Sequence, residues 1–503
     1  MSGNSALPEV FADISVLVRS RYPILYVTSH EEERVLKHFK SVSDTIKKTF
    51  YSWSITTGLI DLSADEDEIS NLEAFCDPLD ILEHINNTDE NAIFVLKDFH
   101  CFLEDFTVIR KLRDLYHSLK LSRKNLVLLA PVLQLPEELK KEVTVIDIPL
   151  PESDEFKGLI KDIDKGMGKN SVVNLSQKDL GILARAAHGL TLSEAENVFS
   201  KTIVSQKKLS LQGLEFILSE KKQIVRKSGI LEFYPTSHQM GELGGFASLK
   251  MWLEGRGRAL FSESARRYGL PSPKGILLLG PPGTGKSLTA KIVSNQWKLP
   301  LLKLDFGKIF SGLVGSSEEN MRQALKTAEA LSPTVLWVDE IEKGVAGGKT
   351  SSSDGGTASR VFGSLLTWMQ ENKSTVFVIA TANDISKLPP ELLRKGRLDE
   401  IFFLDLPIES ERKEIFRIHL RRKKRDPLKY QVDMFAKNTE GFTGAEIEQV
   451  INDALFKSFN QKKELNNENI ISAIKSCIPL SRTYKEELDS LREWAKLRAR
   501  KAS

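Results

Sequence analysis

The residues best suited to chemistry form a short loop that is rich in glycine. The segment 280–287 (GPPGTGKS) directly follows an apolar run at 276–279. Glycines at this spacing let the backbone curl so that its N–H groups face phosphate oxygens. A helix that begins at Lys286 adds the positive end of its dipole. Lys286 can then reach the β- and γ-phosphates of a nucleotide, and the Ser287 hydroxyl can bind Mg²⁺.

Two carboxylates, Asp339 and Glu340, directly follow the apolar run Val335–Val338. A buried strand that ends there places both charges at the carboxyl edge of a parallel sheet, where ligands bind. Asp339 can hold the Mg²⁺ shell, and Glu340 can polarise the attacking water. The apolar run Val376–Ala380 leads to Asn383, which would lie between these strand ends and orient water against the γ-phosphate. An Asn that caps the next turn is the alternative.

The apolar runs that lead into these loops predict the fold class. Short β-rich runs alternate with longer helical stretches throughout the chain. Such apolar runs are typical of strands covered on both faces, as in the parallel sheets of α/β proteins. The sequence therefore predicts an α/β protein with parallel strands at 24–27, 93–96, 126–129, 276–279, 335–338 and 376–379.

The order of the runs indicates an internal duplication. The strand at 126–130 is followed by LPEELKK and then IDIP, and the strand at 376–380 is followed in the same way by LPPELLRK and then LDLP. Gly189 and Gly441 each open a short turn that ends in Thr before a helix. We therefore predict two copies of one unit, each an α/β domain with a small helical lid. Coincidence among common strand–turn–helix patterns is the alternative.

Breaks in the pattern predict the domain limits. Pro235 and nearby glycines interrupt the helical pattern over Gly229–Gly245, which indicates a linker. Apolar residues at three-residue steps, from Leu488 to Leu497, predict a final helix packed on the lid or on a neighbouring copy. The predicted segments are an α/β domain without the loop (1–150), its lid (151–230), an α/β domain with the loop (231–408), its lid (409–480) and a C-terminal helical tail (481–503).

Charge and cysteine content exclude several classes of protein. The 503 residues include 71 Lys and Arg against 68 Asp and Glu, and a formal charge of +3 gives no support to a dedicated polyanion-binding protein. Three isolated cysteines (Cys76, Cys101 and Cys477) exclude a disulfide framework and a cysteine-based zinc site. No apolar run approaches the ~18 residues of a membrane helix, and the N-terminus lacks a secretory pattern. We therefore expect a cytoplasmic protein without a membrane partner.

Together these motifs resemble the AAA ATPase family. The resemblance covers about residues 240–480 and implies a ring, usually a hexamer, with ATP bound at the subunit interfaces. Together with the internal duplication, it predicts tandem P-loop (AAA-type) units, of which the first is degenerate. It rests on Gly244 and Gly245 before the first helix, the loop 280–287, Asp339, Glu340, Asn383, Arg394, Arg397, His419, Gly444 and Ala445.

The resemblance implies further roles. Arg394 and Arg397 match arginine fingers, which reach the γ-phosphate of a neighbouring subunit and spread positive charge over its oxygens; local salt bridges are the alternative. His419 matches a residue that contacts adenine in the family. A structural role is the alternative, because that is the more common role of a His on the apolar side of a lid helix. The implied cofactors are ATP and Mg²⁺, with Ser287 and Asp339 as metal ligands and nucleotide contacts from Gly244, Gly245, Pro282, Gly283, Thr284, Gly285, Lys286, Ser287, Leu288, His419, Gly444 and Ala445.

Three segments narrow the resemblance to one subgroup. LSPTVLWVDEIEK (331–343), TASRVFGSLLTWMQ (357–370) and LPPELLRKGRLDEIFFLDLP (388–407) look like the hypothetical chloroplast reading frame forty-six family of plastids and cyanobacteria. That subgroup also has a large N-terminal half, so the likeness spans most of the chain. It implies the bacterial cytosol or the plastid stroma.

One position departs from the family pattern. The family carries an aromatic residue in its first central-pore loop, and Leu313 takes its place here. Leucine offers less contact area and no π-face, which puts processive threading of a polypeptide in doubt.

The first copy lacks the residues for nucleotide chemistry. Its first strand leads to Glu31, Glu32 and Glu33, without a glycine loop or a lysine, and these carboxylates would repel ATP. Its second strand ends without an acidic pair, and Lys140 stands at the position of Arg394. We therefore expect a degenerate unit that does not bind ATP and serves as a scaffold or recognises a partner.

The sequence as a whole predicts an Mg-ATP-dependent ring ATPase. Hydrolysis would remodel or release a protein partner bound through residues 1–230. A slow nucleotide-dependent regulatory scaffold is the main alternative, and a ring ATPase that acts on nucleic acid is the third.

Overall fold

The computed structural model describes residues 9–63, 71–72, 75–166, 175–235, 238–260, 265, 267–310, 316–346, 355–394 and 396–503. The chain forms two compact units, Met1–Ile217 and Leu218–Ser503. Leu313, at the predicted pore loop, lies outside the described residues.

The first unit contains seven strands. They are β1 (Ile24–Thr28), β2 (Thr49–Ser54), β3 (Gly58–Asp61), β4 (Asn71–Leu72), β5 (Ala92–Lys97), β6 (Asn125–Ala130) and β7 (Val143–Asp147). They form one sheet in the order β4-β3-β2-β5-β6-β1-β7. The five strands from β2 to β7 in this order are parallel, and β3 and β4 add an antiparallel edge.

Both faces of this sheet are covered by helices α1 (Glu9–Arg19), α2 (Glu32–Ile46), α3 (Pro78–Asn87) and α4 (Phe106–Lys120). After the sheet come α5 (Ser153–Gly166), α6 (Gln177–Ala187) and α7 (Leu192–Gln206), and α5 contacts the other two. Helix α8 (Gly213–Ser228) spans the limit between the two units, and its Val225 packs in a core of the second unit. The 3₁₀ turns of this part are Phe99–Phe102 and Glu137–Leu139. Successive side chains of β1 point to opposite faces of the sheet. Ile24 and Tyr26 pack in one core with α3 and α4, and Leu25 and Val27 pack in the other with α1 and α2.

The second unit also has a seven-stranded sheet. Its strands are β8 (Leu231–Tyr234), β9 (Gly275–Leu279), β10 (Leu301–Leu304), β11 (Thr334–Val338), β12 (Val376–Ala382), β13 (Glu400–Phe403) and β14 (Arg500–Lys501). Their order is β14-β13-β9-β12-β11-β10-β8. Only β8 is antiparallel to its neighbour among the described strands of this sheet.

The helices of the second unit divide between the sheet and a lid. They are α9 (Ala247–Leu260), α10 (Lys286–Trp297), α11 (Phe306–Phe310), α12 (Ser316–Ala330), α13 (Lys343–Ala346), α14 (Gly355–Glu371), α15 (Glu409–Arg422), α16 (Val432–Lys437), α17 (Gly444–Asn460), α18 (Asn467–Ser476), α19 (Leu480–Thr483) and α20 (Lys485–Arg498), with 3₁₀ turns at Met240–Glu242, Ile385–Lys387, Pro390–Leu393 and Pro427–Lys429. Helices α15 to α18 have a separate hydrophobic core.

The two units share one topology, which confirms the predicted α/β class. Their inner strands follow the same order, β2-β5-β6-β1-β7 in the first and β10-β11-β12-β9-β13 in the second, and all pairs are parallel. Helices α7 and α17 also begin alike, since Thr191 and Thr443 each form a capping box with a glutamate three residues later.

Two local expectations need correction. The stretch Gly229–Gly245 is not simply a linker, because β8 lies within it and pairs with β10 at the sheet edge. The tail helix α20 packs on the sheet rather than on the lid: Leu491 and Ala495 lie in a core with the α/β body. Arg492 fixes this position through hydrogen bonds of 2.8–3.0 Å to the carboxylate of Asp405. In the described part of the chain, no helix has the length and apolar character needed to span a membrane.

Candidate active site

The glycine loop joins β9 to α10 and contacts the lid. Gly283 and Gly285 have φ of +81° and +100°, in the left-handed region where glycine is not strained. A Cβ on Gly283 would stand 2.9 Å from the Thr443 hydroxyl oxygen. The backbone N–H of Ala445 donates to the Gly283 carbonyl at 3.1 Å. The start of lid helix α17 therefore rests directly on the loop.

Lys286 is the first residue of α10 and is only 7% exposed. Its ammonium group donates to the carbonyls of Gly280 and Pro281 at 2.7 and 2.8 Å. Burial lowers the pKa of Lys286 to about 8, against the opposing effect of the nearby carboxylates of Glu342 and Asp339. A cation held in this way is stabilised by an anion such as phosphate.

Asp339 and Ser287 form an oxygen pair at the end of β11. One carboxylate oxygen of Asp339 accepts hydrogen bonds from Ser287 Oγ at 3.3 Å and from Thr381 Oγ1 at 2.7 Å. The other oxygen lies 3.8 Å from Lys303 Nζ. Hydroxyl and carboxylate oxygens are ligands that Mg²⁺ takes, with water and phosphate completing its shell. The donor set fits Mg²⁺ with Ser287 and Asp339 as the protein ligands.

Glu340 follows Asp339 with a backbone φ of +49°, a conformation that is costly for a residue with a Cβ. Its N–H donates to Thr381 Oγ1 at 2.9 Å, which fixes this turn to the end of β12. Its carboxylate pairs with Lys343 and accepts a hydrogen bond from Asn383 Nδ2 at 3.1 Å. The bond from Lys343 is the main reason that the pKa of Glu340 is lowered. The side chain is therefore an ionised acceptor.

Asn383 lies between two carboxylates. Its backbone N–H donates to Glu342 Oε1 at 3.0 Å, while its side chain binds Glu340. Glu342 is buried, its Oε2 has no hydrogen-bond partner in the described part of the chain, and burial raises its pKa. The sequence analysis missed Glu342, although the run of acidic residues in DEIE was a signal for it. Asn383 thus lies where the two strand ends predicted it.

The lid contributes the apolar side of the site. His419 is 9% exposed, and its Nδ1 has no hydrogen-bond partner among described residues, with Glu448 Oε1 3.8 Å away. Burial lowers the pKa of His419, so the ring is neutral at pH 7. Gly244 allows lid helix α15 to pack closely against the backbone of the α/β body, because a Cβ at this position would stand 2.5 Å from Ile415 Cγ1. Gly245 has a φ of +76°, and its N–H donates to Glu414 at 2.8 Å.

These side chains surround one cavity of about 450 Å³ between the sheet edge and the lid. The sequence-predicted residues that line it are Gly244, Pro282, Gly283, Thr284, Gly285, Lys286, Ser287, Leu288, Asp339, Glu340, Asn383, His419, Gly444 and Ala445. Lining residues without a role in the sequence analysis include His238, Glu242, Phe246, Thr381, Ile418, Arg422 and Glu448. Arg422 belongs to a basic run, Arg421–Arg425, but that run alone does not identify its partner.

Three predicted residues do not line this cavity: Gly245, Arg394 and Arg397. Arg394 is exposed, directly after the 3₁₀ turn Pro390–Leu393. Arg397 donates to the backbone carbonyl of Glu391. Within the described ranges neither arginine forms an ion pair, so the alternative of local salt bridges has no support. Their proposed action on a neighbouring subunit remains a prediction.

Comparisons with known proteins give the same family along the chain. The model described as "ATPase family associated with various cellular activities (AAA)" matches residues 276–406. The models "SpoVK-like AAA ATPase, N-terminal domain" and "SpoVK-like AAA ATPase, second domain" match 10–148 and 154–228. The sequence resemblance to this family is therefore confirmed.

Similar full-length proteins carry the name that the quoted segments indicated. The chain is 41% identical over 487 residues to "Uncharacterized AAA domain-containing protein ycf46" of Guillardia theta, covering 96% of this chain and 94% of that protein. It is 42% identical over 498 residues to the protein of the same name in Pyropia yezoensis, covering 98% and 99%. It is also 29% identical over 281 residues to "ATPase family protein 2 homolog" of Caenorhabditis elegans, covering 54% and 38%.

Proposed function

Because the chain belongs to the AAA ATPase family, we propose that its second unit binds Mg-ATP in the cavity between sheet and lid and hydrolyses it. One observation carries this proposal. A buried lysine, a hydroxyl–carboxylate pair and an ionised glutamate bound to an asparagine all line one cavity. Separately each is common in proteins, but together they supply phosphate binding, metal binding and activation of water.

The chain's own residues divide the reaction between them. The N–H groups of the loop and the ammonium of Lys286 bind the β- and γ-phosphates. Ser287 and Asp339 would hold Mg²⁺, which would supply positive charge against the negative charge that develops on the transferred phosphoryl group. Glu340 orients the attacking water and accepts its proton, and Asn383 holds the Glu340 carboxylate in line.

The base of the nucleotide would lie on the lid side. His419, with Gly444 and Ala445 at the start of α17, lines that side of the cavity. A neutral imidazole and small residues suit a flat, uncharged purine ring. Because the lid helix also touches the glycine loop, hydrolysis can be coupled to lid rotation.

We also propose that the protein assembles into a homo-oligomeric ring, with a hexamer as the expected size. Arg394 is exposed and Arg397 lies nearby in the chain, both away from their own cavity. Two arginines in such a position can complete the site of an adjoining copy and clamp the transition-state oxygens.

The proposed output is remodelling or release of a protein partner in the bacterial cytosol or plastid stroma. Residues 1–230, an α/β domain and lid that would lack nucleotide, are the proposed partner-binding part. A slow regulatory scaffold is the second candidate, and action on nucleic acid is disfavoured by the near-balanced charge. The rate of ATP hydrolysis separates the first two, because a remodeller accelerates when its client is added and a scaffold does not.

The test of the site compares three full-length proteins in a steady-state ATPase assay. Lys286→Ala should lose ATP binding. Glu340→Gln should retain binding but hydrolyse ATP about 100-fold more slowly, since it lacks the base. Arg421→Ala changes an exposed residue of the lid outside the cavity. It is the control for any loss of activity that arises from purification or altered assembly and not from the site. Hydrolysis at the wild-type rate by Lys286→Ala would show that the site is assigned wrongly.

The nature of the client follows from a trap experiment. Glu340→Gln should stay assembled with ATP and hold its client, which a pull-down recovers. Digestion of one half of the sample with nuclease separates the alternatives. A complex that survives nuclease supports a protein client, and one that is lost supports nucleic acid.

A further inference from the structure

Three charged side chains connect the lid to the α/β body at the rim of the cavity. Arg422 ends lid helix α15, and His238 and Glu242 precede the glycine pair on the body side. Arg422 Nε donates to Glu242 Oε2 at 3.0 Å, and Nη2 makes a second bond to the same oxygen. His238 Nδ1 lies 3.0 Å from that oxygen and 2.8 Å from Arg422 Nη2. These three residues are called the rim cluster below.

The rim cluster is a charge-assisted contact. Burial acts to raise the pKa of Glu242, but hydrogen bonds from His238, Gln239 and Arg422 outweigh it and lower the pKa to about 2. The carboxylate is therefore ionised throughout the physiological range. The side chains of His238, Glu242 and Arg422 are 32%, 28% and 29% exposed, so salt in solution screens the pair in part.

Both ends of the cluster are fixed to elements of the nucleotide cavity. On α15, Ile415, Ile418, His419 and Arg422 line the cavity, and their spacing puts them on one helix face. On the body side, Asn295 Nδ2 of α10 donates to the His238 carbonyl at 2.9 Å. Helix α10 begins at Lys286. The cluster therefore joins the lid face that lines the cavity to the helix that begins at Lys286.

We propose that the rim cluster is a latch that holds the lid closed over the bound nucleotide, with Arg422 as the positioning residue that sets the rate of nucleotide release. The inference rests on the proposed function, because it requires a nucleotide in this cavity. The lid cannot turn away from the body without separating Arg422 from Glu242. Loss of the latch should therefore speed release and leave the groups that contact phosphate unchanged.

The test follows dissociation of a fluorescent N-methylanthraniloyl derivative of ADP from full-length protein by stopped flow. Arg422→Ala should release it up to about fivefold faster, the effect expected for a partly exposed charge pair. Raising the salt concentration should speed release more from the wild type than from Arg422→Ala, because only the wild type also has the Arg422–Glu242 pair to screen. Arg421→Ala, the adjacent arginine, should release at the wild-type rate. An equal salt response in Arg422→Ala and wild type would overturn the latch.

A double-mutant cycle tests the pairing itself. Glu242→Gln and Arg422→Ala should each speed release, and the double variant should be no faster than the faster single variant. Additive effects would mean that the two residues act separately and would refute the latch. Arg422→Lys, which keeps the charge and the fold, should release at an intermediate rate. Failure of wild-type protein to bind the probe in a Lys286-dependent way would refute the proposed function, whereas normal binding with unchanged release in Arg422→Ala refutes the latch alone.

Discussion

The two units differ at the carboxyl edge of the sheet, where the loop after β1 in the first unit and after β9 in the second contacts the lid. In the second unit, the loop after β9 leaves a cavity, and the backbone hydrogen bond from Ala445 to Gly283 joins the loop to the lid. In the first unit, β1 leads to Glu31, whose Oε1 accepts from the N–H of Leu192, the first residue of α7, at 2.7 Å. The start of the lid helix thus contacts a carboxylate of the protein itself in the first unit and the glycine loop in the second.

An ion-pair network closes this edge of the first unit. Arg34 Nη1 bonds Glu31 at 2.8 Å and the Pro149 carbonyl at 2.7 Å, and its other nitrogens bond Glu155 at 2.9 and 3.0 Å. Arg34 and Glu31 are each only 7% exposed. The carboxylate of Glu31, which the sequence led us to expect would repel ATP, is paired with Arg34. Glu31 is already neutralised, and its side chain and Arg34 hold α/β body and lid together where a nucleotide would do so in the second unit.

The largest expected effect concerns the number of nucleotide sites. Isothermal titration of the full chain with ATP and Mg²⁺ should give one site per chain, because only the second unit has the loop. Lys286→Ala should reduce binding to an undetectable level, a loss on the order of 100-fold or more in affinity. Two ATP sites per wild-type chain, or one ATP site that persists in Lys286→Ala, would contradict the proposal that only the second unit binds nucleotide through Lys286.

The next effect tests the closed edge of the first unit. Arg34→Ala leaves Glu31 and Glu155 without their cation and should destabilise the first unit by about 3 kcal/mol. Chemical denaturation followed by circular dichroism should show an earlier unfolding transition. Arg110→Ala, which removes an exposed pair with Asp114, is the matched control and should cost under about 1 kcal/mol. An equal loss of stability in Arg34→Ala and Arg110→Ala would mean that the Arg34 network stabilises the first unit no more than an exposed ion pair does.

Local patterns predicted six of the fourteen described strands and several of the residues that line the cavity. The apolar runs at β1, β5, β6, β9, β11 and β12 were found because buried parallel strands are apolar throughout. Lys286 was predicted from the spacing of the glycine loop. Asp339 and Asn383 were predicted because parallel strands end at one sheet edge, so residues after separate strands meet there.

Pairings between distant residues were not predictable in this way. Glu242 and Arg422 are 180 positions apart, and Arg34 and Glu155 are 121 apart. No local sequence pattern connects the two partners of either pair, because they come together only when the chain folds. The tail shows the same limit, since apolar residues at three-residue steps define a helix face but not the surface that covers it.

A smaller effect depends on pH. The ammonium of Lys286 has a pKa of about 8 in the protein and 10.5 in the unfolded chain, so it loses its proton as pH rises through 8. ATP affinity should therefore fall by up to about tenfold between pH 7.5 and 9, because phosphate binds the protonated form. The same lowered pKa means that the unfolded chain binds more protons between about pH 8 and 10.5, so this group's contribution to stability increases as pH rises. Lys286→Arg, always charged, should abolish the fall in affinity if it still binds ATP; a fall that persists in that variant would assign it to another group.

The smallest effect compares the two helix caps that the units share. Thr191→Ala and Thr443→Ala each remove a capping box and should lower the free energy of unfolding by about 1 kcal/mol, measured by urea denaturation. Only Thr443→Ala should also weaken ATP binding, by about fivefold, because α17 starts against Gly283 of the phosphate loop whereas α7 starts against Glu31. The serine variants keep the hydroxyl cap and should behave as wild type in both assays. If Thr191→Ala weakened ATP binding as much as Thr443→Ala, the first unit would not be silent toward nucleotide.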